Sequence, residues 1–454
     1  MILLKKDIIL LDFSSFVFKD KQQCNPGLAA IEAYLADNDI NCAICNAEHY
    51  KDVMSEADVF GMSVLDSTYA IAAKITEKLK DKTIIWGGWA PTALPEWSLE
   101  NNHNLDYVIL KEGEKRLLDL LNSFTTPGLF DKIDGIAYRD RNKTIKICPP
   151  TKYIDINQSP FPGKLATLDN IAFIELSRGC YGNCDYCQED SKMRFKKAAR
   201  AVDEIQHWID NGVDKFYIGN ANSIANTQQL ENLLEEIEQR KLHIGLCLVG
   251  RPDDIFKSRN VLERYFKSDC INIDFVEVGI EADSQRILNL LGRTTTPEIN
   301  HKAMDVLIGL RDKYSPSTQI CANMILFSHP DISLDELIDN IKFIGKYNCS
   351  RNTLSPILYG IAGTPVWNDM IEKGFRPEKN LALEIRDYPF SDQVIDNLVR
   401  NLVRIPLQKN FLSGNKLSYI YREIQYNCND IMIDFYNSPD IEKAIADFTK
   451  LKTS

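Results

Sequence analysis

Apolar runs of strand length alternate with segments of helical spacing over the first 122 residues. The runs lie at 7–13, 40–45, 59–64, 83–88 and 107–110. Strands that alternate with helices predict an open parallel sheet with helices on both faces, and such sheets bind ligands beyond the carboxyl ends of their strands. Glycines after strands also serve simply as turns. The residues expected at those ends are Gly61, Ser63, Gly87, Gly88, Thr92, Glu112 and Gly113.

A polar stretch with several prolines follows this first region. Two short apolar runs, 134–139 and 144–147, flank a polar turn and predict a hairpin. We therefore expect a first domain at 1–125 and a linker that contains the hairpin at 126–165.

A second series of strand–helix repeats begins at Ile171. Its predicted strands lie at 171–176, 214–218, 244–248, 274–280, 319–327 and 352–359. Six repeats in about 190 residues predict a partial (β/α)6 or a complete parallel barrel at 166–378, in which active-site residues gather at the carboxyl ends of the strands. The remainder, 379–454, has a helical pattern, and we expect it to cap the barrel or contact the substrate.

Composition and charge indicate which binding partners and which cellular compartment the chain is suited to. The chain has 454 residues and a net charge of -11, without a long run of lysine and arginine, which disfavours strong nucleic-acid binding. No signal-peptide pattern opens the sequence, and no apolar stretch reaches the ~18 residues that span a bilayer. We expect a soluble cytoplasmic protein without a membrane contact, whose twelve cysteines are reduced thiols or metal ligands.

Three of these cysteines form the most specific chemical signal in the chain. Cys180, Cys184 and Cys187 have the spacing C-x3-C-x2-C, with Tyr186 directly before the last. Three thiolates this close can hold three irons of a four-iron cluster and leave the fourth iron open. Structural zinc sites usually have four ligands, and the nearest downstream histidine, His207, lies twenty residues away. Zinc binding and plain core packing are the alternative interpretations.

The segment from Ile174 to Cys187 resembles the signature of the radical S-adenosylmethionine (SAM) superfamily. The resemblance implies a [4Fe-4S] cluster on Cys180, Cys184 and Cys187, with SAM bound at the open iron. It implies reductive cleavage of SAM to a 5'-deoxyadenosyl radical that takes a hydrogen atom from the substrate. A flavodoxin- or ferredoxin-type protein is the expected electron donor.

Other segments of the second region are similar to the same superfamily. Leu248 to Arg251 resembles the end of a fourth barrel strand, where relatives place an arginine that pairs with the methionine carboxylate. Asn220 and Asn222 stand where relatives carry acidic residues, and an asparagine oxygen can accept a hydrogen bond from the methionine ammonium. Glu281 is expected to contact the adenosyl ribose or to end its strand in solvent.

Tyr186, between the second and third cysteines of the run, is expected to pack over the adenine, with core packing as the alternative.

The N-terminal region resembles the cobalamin-binding domain that precedes many radical SAM enzymes. The resemblance rests on Asn25 to Leu28, Gly61 to Ser63, Trp86 to Thr92 and Asp106 to Glu114. No Asp-x-His-x-x-Gly stretch occurs, so the lower-axial histidine for cobalt is missing. Cobalamin is therefore a candidate third cofactor, and the alternative is a repurposed Rossmann-like domain that contacts a substrate or partner.

Methyl transfer from methylcobalamin to an unreactive carbon of a small molecule or peptide is the first functional hypothesis. The second is a cobalamin-independent modification of a peptide, such as epimerisation, in which a thiol returns a hydrogen atom. Cys349 and Cys321 are the candidate thiols, with core packing as the alternative for Cys321. A non-enzymatic iron–sulfur or zinc binding module is the third hypothesis.

Overall fold

The computed structural model describes residues 5–17, 24–126, 128–219, 221–347, 354–377, 384–406 and 417–451. The chain divides into two units. The first unit is Met1–Asp169, Ile361–Gly363 and Arg376–Ile385, and the second is Asn170–Gly360, Thr364–Phe375 and Arg386–Ser454. Within the described ranges, every helix is too short or too polar to cross a membrane.

The first unit contains a seven-stranded sheet. Its strands are β1 (Ile8–Asp12), β2 (Cys42–Asn46), β3 (Val59–Ser63), β4 (Thr83–Gly87), β5 (Tyr107–Ile109), β6 (Ile136–Arg139) and β7 (Ile145–Cys148). Their order is β2-β1-β3-β4-β5-β6-β7, and the first five run parallel. All five residues of β1 are buried, as expected for a central strand covered on both faces. The predicted parallel sheet is confirmed.

The predicted hairpin is present, but it is not confined to a linker. Strands β6 and β7 pair with each other, and β6 pairs antiparallel with β5, so the hairpin extends the sheet of the first unit. Backbone pairing explains the difference, because the open edge of β5 offers donors and acceptors that β6 satisfies.

The described residues of the first unit form six α-helices. They are α1 (Ser14–Val17), α2 (Pro26–Ala36), α3 (Tyr69–Lys78), α4 (Trp89–Ala93), α5 (Pro95–Asn101) and α6 (Glu114–Ser123). Asn25 begins α2 by accepting the Leu28 amide hydrogen at 3.0 Å, and proline at the first helical position needs no such partner.

The strands from residue 167 onward include the barrel strands of the second unit. They are β8 (Thr167–Leu168), β9 (Ile171–Ile174), β10 (Ser177–Arg178), β11 (Arg194–Phe195), β12 (Lys215–Ile218), β13 (Ile244–Gly250), β14 (Ile271–Glu281), β15 (Gln319–Phe327), β16 (Leu354–Ile357), β17 (Gly360–Ile361) and β18 (Glu384–Ile385). Strands β9, β12, β13, β14, β15 and β16 are parallel neighbours in chain order. This confirms the predicted six-stranded partial barrel.

Arg251 follows β13, which is the third strand of this barrel, so its assignment to a fourth strand was wrong.

Helices lie between the barrel strands and continue after them. They are α7 (Ala198–Asp210), α8 (Thr227–Arg240), α9 (Pro252–Lys257), α10 (Arg259–Lys267), α11 (Gln285–Leu290), α12 (Pro297–Tyr314), α13 (Leu334–Tyr347), α14 (Pro365–Glu372), α15 (Gln393–Val399), α16 (Leu417–Asn437) and α17 (Ile441–Leu451).

Candidate functional site

The three-cysteine run lies in a closed loop directly after β9. The short antiparallel pair β10–β11 joins the two ends of this loop. Gly179 has a φ of +81°, and a side chain there would collide with the carbonyl oxygen of Lys192. The Cys180 amide donates to the Asp190 carbonyl at 2.8 Å. The loop therefore begins at a backbone position that favours glycine, and the cysteines are held at the carboxyl end of the first barrel strand.

Each sulfur of the run accepts a hydrogen bond from nitrogen. The Gly182 amide lies 3.4 Å from Cys180 Sγ, and the Glu189 amide lies 3.4 Å from Cys187 Sγ. Burial raises the pKa of both thiols, and these amide hydrogens act in the opposite direction. The N–H groups favour the thiolate form that ligates iron.

Two buried arginines approach the middle thiol. Arg293 Nη1 lies 3.6 Å and Arg251 Nη1 lies 3.9 Å from Cys184 Sγ, and the two side chains belong to residues 7% and 4% exposed. Arg293 also donates to the Gly279 carbonyl, and a side chain at Gly182 would collide with Arg251. Two guanidinium groups beside one sulfur require nearby negative charge, which a thiolate or an anionic cluster supplies.

Arg251 is held by further contacts on the other side of its guanidinium. Its Nε lies 3.1 Å from Asp253 Oδ1, and its Nη2 lies 2.7 Å from Thr294 Oγ1. The Tyr181 ring lies 5.1 Å from the guanidinium carbon, within cation–π range. The ion pair with Asp253 is thus only one of several contacts that hold this buried guanidinium.

Asn222 lies at a polar junction after β12. Its Nδ2 donates to Asp254 Oδ2 at 2.6 Å, and Tyr181 donates to the same oxygen at 2.5 Å. Asn222 is 1% exposed, and no donor in the described part of the chain reaches its Oδ1. A buried acceptor without a donor is suited to a ligand N–H group. Asn220, its predicted companion, lies outside the described residues.

Tyr186 and Glu281 meet, although they are 95 positions apart. The Tyr186 hydroxyl hydrogen-bonds to the Glu281 carboxylate. Burial raises the pKa of both groups, while Arg293 favours the ionised form of each. Glu281 ends β14 with a φ of +67°, which is uncommon for a residue other than glycine. The half-buried carboxylate therefore lies next to the cysteine run rather than in solvent.

The loop is also anchored behind the cysteines. The Asp185 amide donates to the Leu291 carbonyl at 3.0 Å, and the Val366 amide donates to the Asp185 carbonyl at 3.0 Å. Gly292 has a φ of +67°, and a side chain there would meet Asp185 and the carbonyl of Asn183. Close backbone approach explains this glycine.

The predicted ligand positions of the first unit separate into two groups. Ser63 and Gly87 end β3 and β4, and Gly88 follows β4 with a φ of +102°. Gly61 is instead in the middle of β3, where a side chain would collide with Leu10, so its placement at a strand end was wrong. Close packing between β1 and β3 is the physical reason for that glycine.

The remaining predicted positions lie in the loop after β5 or, in the case of Thr92 on α4, contact it. Thr92 Oγ1 accepts the Lys111 amide hydrogen at 3.0 Å, and Glu112 Oε2 accepts the Ile154 amide hydrogen at 3.2 Å. Gly113 precedes α6, and a side chain there would press on Ile31. These contacts shape the loop within the unit.

Two exposed apolar side chains, Leu65 and Trp89, follow β3 and β4. They are 37% and 42% exposed and form apolar surface that the sequence analysis did not single out.

The two candidate hydrogen-donor thiols differ in what the structure describes. Cys321 is buried in β15, and its Sγ lies 3.7 Å from Asn323 Oδ1. Cys349 lies outside the described residues. Within the described ranges, no three His, Cys, Asp or Glu side chains converge on a single metal ion. Cluster ligands need not converge, since each thiolate binds a different iron.

Sequence reasoning missed the roles of Arg293, Asp254 and Tyr181. Arg293 was not singled out, yet it contacts a cysteine 109 residues away. A glycine followed by an arginine just after α11 could have indicated a close approach of the backbone, but only the tertiary structure identifies the thiol that Arg293 reaches.

Comparison with known proteins places these features in a family context. The model of the radical SAM superfamily matches residues 174–344. The anaerobic magnesium-protoporphyrin IX monomethyl ester cyclase of Synechocystis is 23% identical over 55% of this chain and 52% of its own length. The 4'-phospho-dehydrooxetanocin synthase of Priestia megaterium is 23% identical over 64% of this chain and 43% of its own. The chain thus spans about half the length of these curated relatives.

Solved structures extend the likeness in fold to nearly the whole chain. The cobalamin-dependent SAM radical enzyme OxsB, with aqua-cobalamin and SAM bound, superposes with a TM-score of 0.77 at 17% identity. The match covers 99% of this chain and 76% of OxsB. The radical SAM methyltransferase TsrM of Kitasatospora setae, with tryptophan and a SAM analogue bound, gives a TM-score of 0.64 at 15% identity, over 81% of this chain and 76% of TsrM.

Proposed function

We propose that this chain, whose residues 174–344 match the model of the radical SAM superfamily, is a radical SAM enzyme that methylates an unreactive carbon. Cys180, Cys184 and Cys187 would hold a [4Fe-4S] cluster. When bound, the cluster and SAM supply a 5'-deoxyadenosyl radical, and cobalamin supplies the methyl group. The observation that carries the proposal is the trio of thiols, each with an N–H donor, beside two buried arginines.

The residues around the thiols suit the polar parts of SAM. Arg251 presents a planar guanidinium that can bind a carboxylate through two hydrogen bonds. The donor-free Oδ1 of Asn222 can accept from the methionine ammonium. Tyr186 and Glu281 would orient the adenosine, Tyr186 through its ring and Glu281 as an acceptor for a ribose hydroxyl. These four side chains would bind and orient SAM, and the Tyr186 hydroxyl would keep its proton and donate it in a hydrogen bond to the Glu281 carboxylate.

Cobalamin is assigned to the carboxyl edge of the first unit's sheet. Gly88 keeps the backbone after β4 free of side-chain bulk, and exposed Leu65 and Trp89 offer apolar surface to a flat macrocycle. Ser63, Gly87, Thr92, Glu112 and Gly113 are the further proposed contacts. The description of OxsB as cobalamin-dependent supports cobalamin as a cofactor, and the name of a 21% identical relative, the hopanoid C-3 methylase of Methylococcus capsulatus, supports methyl transfer.

The test is anaerobic purification after reconstitution with iron, sulfide and hydroxocobalamin. We expect about four irons per chain, a corrinoid absorption spectrum at a 1:1 ratio, and reductive cleavage of SAM to 5'-deoxyadenosine. The Cys184→Ser variant should lose the iron and the cleavage. Cys270→Ser, at a half-buried cysteine outside the run, is the matched control and should keep both. Tetrahedral zinc in place of iron would refute the proposal, and iron without corrinoid would refute methyl transfer.

A second candidate is supported by the position of Cys321. This residue pairs in register with Glu277 of β14, on a strand of the barrel rather than in a surface loop. A thiol there could return a hydrogen atom to a substrate radical, as the peptide-modification hypothesis requires. Incorporation of solvent deuterium into product that disappears in Cys321→Ala would favour this function. Cys349 stays a candidate for the same role.

The electron donor and the compartment are also part of the proposal. A low-potential flavodoxin or ferredoxin would reduce the cluster, and a reducing compartment such as the cytoplasm would keep the other nine of the twelve cysteines as free thiols. The substrate is proposed to be a small molecule or peptide.

A further inference from the structure

The inner face of the barrel carries a polar group that the proposed cluster and SAM contacts do not use. In β14, Val276, Val278 and Ile280 are fully buried, whereas the alternating residues 275, 277, 279 and 281 are half-buried. Successive side chains of a strand point to opposite faces. Helices α9 and α10 pack on β14, so the half-buried set lies on the face that the helices leave open.

Side chains from three strands meet on this face. The Tyr217 hydroxyl on β12 lies 3.2 Å from Glu277 Oε2 on β14, although β13 runs between these strands. Asn323 on β15 donates through Nδ2 to Glu277 Oε1. Contact across an intervening strand requires a concave surface, so these residues line the inside of the barrel.

Three hydrogen bonds in this group point toward Glu277. Cys321 Sγ donates to Asn323 Oδ1, the Asn323 amide donates to Glu277, and the Tyr217 hydroxyl donates to its other oxygen. Both carboxylate oxygens accept, which is the pattern of an ionised carboxylate. The same carboxylate raises the pKa of Tyr217, after burial, which contributes most.

Glu277 has donors but no counter-charge. Among the described residues, no basic nitrogen pairs with its carboxylate, and both hydrogen-bond partners are neutral side chains. Asp274, three positions earlier on the same strand, does pair with a cation, since Lys215 Nζ lies 3.6 Å away. A carboxylate removed from bulk water is stabilised by a cation, so Glu277 lacks the partner that its environment favours.

Aromatic rings stand beside the carboxylate. The Phe173 ring on β9 lies 5.3 Å from the Tyr217 ring, and both residues are half-buried. Aromatic faces attract ammonium groups and also cover apolar carbon. A carboxylate next to paired aromatic rings is therefore a combination that suits an organic cation better than an anion or a neutral polar group.

We propose that Phe173, Tyr217, Glu277 and Asn323 form a substrate subsite for an organic cation, namely a primary ammonium group on an apolar body. The assignment of the occupant as substrate rests on the proposed function. The ammonium would donate to the free lone pairs of Glu277, while the adjoining carbon chain packs on Phe173 and Tyr217. Phosphate and carboxylate groups would be repelled from this position by Glu277.

The experiment compares n-butylammonium with 1-butanol as probes of anaerobically reconstituted protein at pH 7. Ligand-observed NMR titration gives the dissociation constant of each probe. We expect n-butylammonium to bind wild-type protein at least about tenfold more tightly than 1-butanol, because charge-assisted hydrogen bonds are the stronger kind. This comparison uses wild-type protein alone and does not depend on how any variant folds.

Two variants locate the binding. Glu277→Gln removes the charge with little change in shape and should abolish the preference for n-butylammonium. Asp274→Asn, the matched control on the same strand, should keep it. Equal binding of the two probes to wild type, absence of n-butylammonium binding, or an unchanged preference in a folded Glu277→Gln variant would overturn the subsite.

Cleavage of SAM by the same wild-type sample separates the subsite from the proposed function. A preference for n-butylammonium without cleavage would support the subsite as a cation site and refute the enzyme assignment. Cleavage without that preference would refute the subsite alone.

Discussion

Cys184 is the residue around which the charges of the site are arranged. Two guanidinium groups lie 3.6 and 3.9 Å from its sulfur, and each arginine also has an acidic neighbour, Asp253 for Arg251 and Glu281 for Arg293. Like charges in a buried place repel, so the pair is stable only with compensating negative charge. Cys180 and Cys187 instead receive backbone amides, which makes the three thiols electrostatically unequal.

Replacing Arg293 should therefore change a property of the cluster itself. Loss of a positive hydrogen-bond donor to Cys184 favours the oxidised cluster, so Arg293→Met should lower its midpoint potential by about 60 mV, which equals about 1.4 kcal/mol for one electron. Arg293→Lys should restore part of the difference. The measurement is a redox titration followed by electron paramagnetic resonance.

Arg311→Met is the control for this substitution. Arg311 lies on α12 and pairs with its neighbour Asp312, so its removal should leave the potential unchanged. Arg293→Met with a wild-type potential would contradict the role of Arg293 at Cys184.

At the residue scale, the sequence could predict which three thiols lie together but not what surrounds them. The three cysteines lie within eight positions, so their spacing alone brings the thiols together. Arg251 and Arg293 reach Cys184 from 67 and 109 positions away, and no local pattern encodes such a distance. Tyr186 and Glu281 are a similar case, because their contact depends on the left-handed backbone at Glu281.

At the scale of elements, the turn from β4 into α4 depends on one glycine. Gly88 has a φ of +102° and a ψ of -175°, a region that is nearly restricted to glycine, and an added Cβ would lie 2.6 Å from the Val64 carbonyl oxygen. Gly88→Ala should therefore lower the free energy of unfolding by about 2 kcal/mol or more. Equilibrium urea denaturation measures the change.

Gly309 supplies the matched control for that prediction. It is exposed within α12, and a Cβ there would meet no atom within 4 Å. Gly309→Ala should raise stability by about 0.5–1 kcal/mol, because alanine is the better helix former. If Gly88→Ala and Gly309→Ala changed the free energy of unfolding in the same direction, backbone conformation would not be what decides the effect.

The start of α13 makes stability depend on pH through Glu336. Burial works to raise the pKa of Glu336, but hydrogen bonds from Arg286, Ser333 and Ser284 outweigh it and lower this pKa to about 2. A lowered carboxyl pKa stabilises the fold above the unfolded value of about 4.3, and this stabilisation is lost as the pH falls toward 2. Its size is about 1–2 kcal/mol, because the half-exposed Arg286 is screened by solvent.

Glu336→Gln tests this dependence. We expect the variant to be less stable than wild type by that amount at pH 7, and the gap to narrow at pH 3 in urea denaturation. Glu372→Gln, at an exposed position of α14, should match wild type at both values. A gap of constant size would show that the loss comes from packing rather than from charge.

Periodicity predicted which elements exist better than it predicted where they pair. The six barrel strands were recognisable because apolar runs and helical spacing alternate from Ile171 onward. The sequence did not reveal the edge pairing of β6 with β5 or the position of Gly61 inside β3, because both depend on the register between strands. Register is set by the packing of whole faces, which a single run of sequence does not contain.

At the scale of the whole molecule, the two kinds of candidate ligand position lie in different units of the chain. Gly88, Leu65 and Trp89 belong to the first unit, and the three cysteines with their arginines belong to the second. A ligand that binds only the native state stabilises it by RT ln(1 + [L]/Kd), which is about 2.7 kcal/mol at a hundredfold excess over Kd. Each cofactor should therefore stabilise the native protein through the residues that bind it, independently of the other cofactor.

Thermal denaturation with hydroxocobalamin tests whether the two binding functions are separable. We expect hydroxocobalamin to raise the melting temperature of wild type and of the iron-free Cys184→Ser variant alike, because no corrinoid contact is assigned to the cysteine run. Gly88→Ala should lose the increase while keeping its iron, since its distortion lies at the edge assigned to cobalamin. Loss of the increase in Cys184→Ser would instead mean that corrinoid binding requires the cluster, and an unchanged melting temperature of wild type would remove cobalamin from the proposal.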